Sequence, residues 1–145
     1  MGAWAVDSFG NDDAADWLYE LADQQDLQLV RVTIGQVLAA EGYLDAHHAN
    51  TALAAAEVVA AALGHATAAT AGHEEIQGWL ARAQPLAGPA LVLDAIHAID
   101  RIVGAQSEVR ELWAESEHLA AWQTEVAELR ATLQICYAEV AARMR

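Results

Sequence analysis

The most informative absence in this sequence is lysine. All seven basic residues are arginines, against 21 acidic residues, and the formal net charge is −14. Without lysine the chain has no Schiff-base nucleophile and no phosphate-binding lysine of the P-loop kind. The negative charge also disfavours nucleic acids and anionic membrane surfaces as partners, because both would be repelled. The partners that remain are basic proteins and cations.

Cysteine and long apolar runs are equally scarce. Cys136 is the one cysteine, so an internal disulfide and a Cys-x-x-Cys metal or redox site are excluded. The longest apolar stretch, within residues 51–63, is too short to cross a bilayer and contains Glu57. The first residues show no basic-then-apolar secretory signal. We therefore expect a cytoplasmic protein that binds neither nucleic acid nor membranes.

Residues that interrupt helices are few, with two prolines and nine glycines, and helical periodicity recurs throughout without an alternating strand pattern. The patterns predict helices over residues 12–24, 26–42, 45–63, 73–83 and 89–104, another from residue 107, and a long last helix. Residues 65–72 are predicted as a loop. The predicted fold is all-α: one domain over residues 1–145, a bundle of about seven helices, with residues 1–10 as an arm packed on the bundle.

The last predicted helix carries an apolar seam. Its members alternate spacings of three and four, as in a heptad repeat: Leu119, Trp122, Val126, Leu129, Leu133, Cys136 and Val140. Such a seam packs either inside the monomer or against a second copy of the chain. A structural homodimer through residues 119–140 therefore remains an alternative.

The first predicted helix carries an acidic stripe. Five acids fall within about a third of its circumference: Asp12, Asp13, Asp16, Glu20 and Asp23. Like charges four residues apart cost roughly a few tenths of a kcal/mol per pair. The stripe is therefore either a solvated face or a surface that steers a basic partner. We predict a non-catalytic module of immunity or antitoxin type, without cofactor or metal, which binds a basic, toxin-like protein.

A cation site in the same stripe is a weaker interpretation, because the spacing does not match a calcium-binding loop. A metal-dependent helical-bundle enzyme is an alternative from another class. Di-metal bundles use Glu-x-x-His pairs on facing helices. Three acid-x-x-His pairs occur here: Asp45 with His48, Asp94 with His97, and Glu115 with His118.

Glu57 is the one acid in a helix that is otherwise predicted to be buried. A buried carboxylate is costly unless it is paired, and Arg101 offers a forked donor suited to it. We predict a structural salt bridge between Glu57 and Arg101, with a narrow solvent stripe shared with Asn50 as the alternative. Trp4, in the predicted arm, either covers the core or anchors a partner.

Residues 1–17 carry the most specific motif of the chain, MGAWAVDSFGNDDAADW. This motif resembles the opening of a bacterial family, domain of unknown function 4259, in which Met-Gly-x-Trp-Gly is followed by Phe and then Asn-Asp-x-Ala-x-Asp-Trp. The matching residues are Met1, Gly2, Trp4, Phe9, Asn11, Asp12, Ala14, Asp16 and Trp17. Residues 43–44, 54–59, 99–101 and 111–113 are also similar, whereas Ala5 and Asp7 stand where the family pattern has glycines. The resemblance implies no activity and assigns no catalytic residue.

Overall fold

The computed structural model describes residues 5–144, and these residues form eight helices. The helices are α1 (Asp12–Ala22), α2 (Gln28–Ala39), α3 (Ala46–Ala62), α4 (Ala68–Ala71), α5 (Glu74–Ala83), α6 (Pro89–Val103), α7 (Glu108–Ala114) and α8 (Leu119–Arg143). The described residues contain no strand, and Leu44 and Ser107 form an isolated parallel bridge. The all-α prediction and the long last helix are confirmed.

The sequence-based number of helices differs from the observed one because of α4. Residues 65–72 were expected to be a loop, but the stretch Ala-Ala-Thr-Ala forms one helical turn after Thr67. Alanine has the highest helix propensity, which favours such a turn between two longer helices. Two boundaries agree with the prediction: Gly64 ends α3 in the left-handed conformation, at φ +84°, and Pro89 opens α6.

Helix α3 is the centre of the bundle and contacts each of the seven other helices. Every residue from 51 to 60 is buried. Most of these side chains are alanine and valine, whose small size lets the surrounding helices pack closely around α3. This arrangement places Glu57, which is 2% exposed, among apolar neighbours.

Helix α8 uses its heptad seam inside the chain. The buried residues of α8 are Trp122, Val126, Leu129, Leu133, Cys136 and Val140, and the helix packs mainly against α6. The seam residues are thus part of the core of the single chain, and the homodimer through residues 119–140 stays a prediction. Within residues 5–144, no helix combines the length and the apolar character needed to cross a bilayer.

The arm before α1 packs on the bundle in the part that the structure describes. Val6 and Phe9 are half-buried against the core. The amide of Ala5 donates to the carbonyl of Gly10 at 3.2 Å, which closes the arm into a compact turn. Trp4, for which the sequence leaves two roles open, lies outside the described residues.

Candidate functional site

Helix α1 begins as its sequence predicts. The Asn11 side chain is the N-cap and accepts a hydrogen bond from the amide of Ala14 at 2.8 Å. Asp12 and Asp13 occupy the first turn, where negative charge interacts favourably with the positive end of the helix dipole. The start of the acidic stripe therefore also stabilises the helix that carries it.

The rotation of α1 about its axis is set by its buried face, which consists of Ala14, Trp17 and Leu21. The indole nitrogen of Trp17 donates to Thr33 Oγ1 of α2 at 2.9 Å. With these residues turned toward the core, the acids on the opposite flank point outward, because residues about half a turn apart lie on opposite sides of a helix.

Four of the five acids in the predicted stripe are exposed: Asp12, Asp16, Glu20 and Asp23. Within residues 5–144, no salt bridge or side-chain hydrogen bond reaches their carboxylates. The charge repulsion expected along this flank is therefore not relieved by the described part of the chain. These four residues form what we call the acidic flank.

Asp13 differs from the other four because it has partners in α3. Its carboxylate lies 3.0 Å from His47 Nδ1 and accepts from Asn50 Nδ2 at 3.1 Å. Partial burial raises the pKa of Asp13, but the hydrogen bonds from His47 and Asn50 outweigh this effect and hold the pKa below its usual value. Asp13 thus fastens α1 to the first turn of α3 and is only partly available to a partner.

A surface groove runs between α1 and α2 beside the acidic flank, with a volume of about 650 Å³ including its solvent-open part. Its α1 wall consists of Asp13, Asp16, Trp17 and Glu20. Its α2 wall consists of Leu29, Val32, Thr33 and Gln36, and α3 contributes His47 and Thr51. Each of the two long walls follows spacings of three, one and three residues, so one strip of each helix faces the groove.

Val32 gives this groove an exposed apolar surface. The residue is 48% exposed, and Leu29 beside it is half-buried. Carboxylates on one wall and aliphatic carbons on the other suit a segment that carries both positive charge and apolar side chains. No motif in the sequence marks Val32, although its position on a helical wheel lies away from the buried Val30 and Val37.

Two arginines, Arg130 and Arg82, bind acceptors other than the carboxylates of the acidic flank. Arg130 forms a forked salt bridge with Asp100, at 2.7 and 3.1 Å. Arg82 donates to the carbonyl oxygen of Ala22 at 3.2 Å, and so satisfies the C-terminal end of α1 rather than one of its carboxylates. The groove wall formed by α1 therefore keeps its negative charge.

The predicted salt bridge between Glu57 and Arg101 is wrong. Arg101 lies in the last turn of α6 and donates to backbone carbonyls instead: Ala105 at 3.1 Å, Gln106 at 3.3 Å, and Gly42. The guanidinium thereby joins the loop after α6 to the loop before α3. These three hydrogen bonds to loop carbonyls occupy the guanidinium, which explains why Arg101 is not available to Glu57.

Glu57 has a neutral hydrogen-bond donor instead of a cation. Thr67 Oγ1 lies 3.0 Å from each of its carboxylate oxygens. Burial raises the pKa of Glu57 to about 7; the hydrogen bond from Thr67 works against this, and the nearby charges of Glu125 and Asp7 add to it. No sequence signal marked Thr67, because its approach to Glu57 depends on the turn after α3.

One of the three acid-x-x-His pairs makes contact, and it serves to cap a helix. Asp45 is the N-cap of α3; it accepts from the amide of His48 at 2.8 Å and lies 2.6 Å from His48 Nδ1. The members of the other pairs are exposed: Asp94, His97, Glu115 and His118. Among the described residues, no three His, Cys, Asp or Glu side chains are grouped closely enough to hold a metal ion.

The fold and this surface define an all-helical protein with a charged groove between its first two helices. Residues 2–125 match the model of the family DUF4259, a domain of unknown function, and the chain therefore belongs to that family. The resemblance noted in residues 1–17 is thus confirmed at the level of the family. No curated protein and no solved structure matches the chain significantly.

Proposed function

We propose that this chain is a non-catalytic binding protein that engages a basic protein through the groove between α1 and α2. The observation that supports this most is the combination of four exposed carboxylates without a partner in residues 5–144 and an exposed Val32 across the groove. Charge of one sign on a surface steers an oppositely charged partner and orients it. Apolar contact then supplies the part of the binding energy that salt does not screen.

The dimensions of the groove favour an amphipathic helix as the part of the partner that enters it. The acids on the α1 wall extend from Asp13 to Glu20, which corresponds to about 10 Å, or two helical turns. A basic helix with arginines or lysines along one side would place its cations opposite these acids and an aliphatic side chain against Val32. This is a helix-in-groove mode of recognition.

An immunity or antitoxin role, in the cytoplasm, is the most concrete form of this proposal. A small acidic protein that covers a positive cleft would inhibit an enzyme whose substrate is a polyanion, such as a nuclease. This choice of partner rests on charge and size and is an analogy. The test of the binding surface does not depend on it.

The test compares two variants with the same change in net charge. Asp16→Lys/Glu20→Lys reverses the acidic flank, whereas Glu117→Lys/Glu128→Lys reverses two exposed acids elsewhere on the chain. Each is titrated by fluorescence anisotropy with a labelled amphipathic helix of lysine and leucine, and with a peptide of the same composition whose sequence is scrambled. We expect the wild-type chain and the Glu117/Glu128 variant to prefer the amphipathic peptide, with an affinity that falls as salt rises.

The flank variant should lose at least tenfold in affinity for the amphipathic peptide and should show no preference for it over the scrambled peptide. An equal loss in both variants would mean that only net charge matters, which contradicts a specific groove. Val32→Ser should weaken binding as well, since it removes the apolar contact without changing the charge. If Val32→Ser binds the amphipathic peptide as tightly as the wild-type chain does, Val32 is not part of the binding surface.

A further inference from the structure

Thr67 and Glu57 form a contact that the proposed binding function does not use. Thr67 is the N-cap of α4, yet its side chain makes no capping hydrogen bond to that helix. An N-cap threonine ordinarily satisfies a free amide of its own first turn. Here its hydroxyl turns to Glu57 on α3. The side chain therefore serves to attach α4 to the core instead of stabilising α4 locally.

The segment of residues 64–73, which we call the cover, closes over Glu57 at the end of α3. A glycine lies near each end: Gly64 in the left-handed conformation, and Gly72 directly after α4. Besides Thr67, the cover is held by His65, whose Nε2 lies 2.6 Å from a carboxylate oxygen of Glu139 on α8. The cover is also held by Gln77, whose Nε2 donates to the carbonyl oxygen of Thr70 at 2.9 Å, and by the contact between the rings of Phe9 and His73.

The charged surroundings of Glu57 oppose its ionisation. The negative charges of Glu125 on α8 and of Asp7 in the arm before α1 both raise its pKa. A negative charge buried among alanine and valine without a cation carries a large free-energy cost. The chain avoids this cost either if Glu57 keeps its proton or if water reaches the carboxylate. Opening the cover would provide that access.

We propose that the cover is a pH-dependent latch, which closes over protonated Glu57 and opens when Glu57 ionises. The device is independent of the groove between α1 and α2. The pH range over which the latch opens follows from the pKa of Glu57 with the cover closed and with the cover open. The pKa of Glu57 is about 7 in the closed state, and the ordinary value of 4.5 applies once water surrounds the group. The opening equilibrium constant should therefore rise about tenfold per pH unit between these values, roughly 300-fold in all, and level off above pH 7.

Hydrogen exchange followed by mass spectrometry on the full chain tests this directly. Protection factors, corrected for the intrinsic pH dependence of exchange, are measured between pH 5 and 8 for peptides covering residues 64–73 and, as a reference, for α6. In the wild-type chain the protection of the cover should fall as the pH rises and should stay below that of α6 at every pH, because the cover opens without global unfolding. In Glu57→Gln the cover should remain equally protected at every pH.

His65 and His73 are the other titratable groups of the cover, so a control must separate them from Glu57. The contact between His65 and Glu139 also holds the cover. Glu139→Gln removes the carboxylate from that contact and leaves Glu57 intact. We expect this variant to keep the pH dependence. If Glu139→Gln abolishes it, or if Glu57→Gln retains it, the latch is not Glu57 and the proposal fails.

A second variant covers the case in which Glu57→Gln does not fold. Thr67→Val removes the hydroxyl that lowers the pKa of Glu57. The pKa of the closed state should then rise, and the levelling-off should move to a higher pH than in the wild-type chain. Protection of the cover that does not change with pH in the wild-type chain would overturn the proposal. Equal protection of the cover and α6 at every pH would also overturn it, because Glu57 would then be exposed only by global unfolding.

Discussion

Trp17 of α1 and Thr33 of α2 are joined by a buried hydrogen bond, in which the indole nitrogen donates to the threonine hydroxyl at 2.9 Å. The hydroxyl in turn donates to the carbonyl oxygen of Leu29 at 2.7 Å. Both polar groups are therefore satisfied away from water. This short chain of hydrogen bonds holds the two walls of the groove at a fixed spacing.

Replacing Thr33 by valine should destabilise the fold. The substitution preserves the shape of the side chain but leaves the indole N–H of Trp17 buried without an acceptor. Such a loss costs about 1–3 kcal/mol, measurable as a lower midpoint in urea-induced unfolding. Thr33→Ser, which keeps the hydroxyl, should retain most of the stability. Equal stability of Thr33→Val and the wild-type chain would show that the indole finds another acceptor.

Reversing charge on the acidic flank should not destabilise the chain. Asp16 has an acid four residues away on each side, Asp12 and Glu20, and like charges at that spacing repel one another. Asp16→Lys/Glu20→Lys converts the repulsion between positions 12 and 16 into attraction, while positions 16 and 20 still carry like charges. We expect the free energy of unfolding to rise by roughly a few tenths of a kcal/mol, from the one pair that becomes attractive, and by less at high salt. A fall in melting temperature would contradict the absence of stabilising partners for these acids.

The stability of the wild-type chain should contain a pH-dependent contribution from Glu57. The pKa of this acid is raised by folding, so the folded chain holds the proton more tightly than the unfolded chain does. The contribution is therefore fully present below pH 4.5 and is lost as the pH rises toward 7. Its size is about 3 kcal/mol.

Urea unfolding at several pH values gives the free energy of unfolding of the wild-type chain and of Glu57→Gln. The contribution of Glu57 is the difference between the two plots of this free energy against pH. The free energy of unfolding of the wild-type chain should fall relative to that of the variant between pH 4.5 and 7. Above pH 7 the two curves should run parallel. Parallel curves across the whole range would mean that Glu57 ionises in the folded chain as it does in water.

Cys136 should be chemically inert in the folded chain. It is 1% exposed, and burial, with a smaller effect from the charge of Glu139, raises the pKa of its thiol to about 11. The thiolate is the reactive species, and at pH 8 it is both rare and inaccessible. Iodoacetamide should therefore label Cys136 in urea but not in buffer, as mass spectrometry would show. Rapid labelling in buffer would indicate that α8 detaches from the bundle.

Local signals in the sequence predicted much of the helical framework. Asn11 followed by acids indicated the start of α1, and Pro89 the start of α6, because capping and the fixed φ of proline act within one turn. The seam of α8 was visible because its period repeats over three heptads. Helix α4 was missed, since a single turn is too short to show any period.

Contacts between distant parts of the chain were not predictable in the same way. Glu57 was correctly expected to be buried, but its partner was not Arg101. The choice between Arg101 and Thr67 depends on where the turn after α3 directs the chain. Likewise, the apolar pattern of α2 does not distinguish Val32 from its neighbours. Its position beside the acids of α1 follows only from the packing of α1 against α2.

Composition and the period of single helices are enough to predict the all-helical fold, the excess of negative charge and the crowding of acids on α1. The packing of the helices against one another sets the rest: Asp13 is held by His47 and Asn50, Asp16 and Glu20 border a groove with Val32, and Thr67 contacts Glu57. Those outcomes depend on how helices lie against one another. The residue pattern of one helix does not specify which residues of the other helices it will contact.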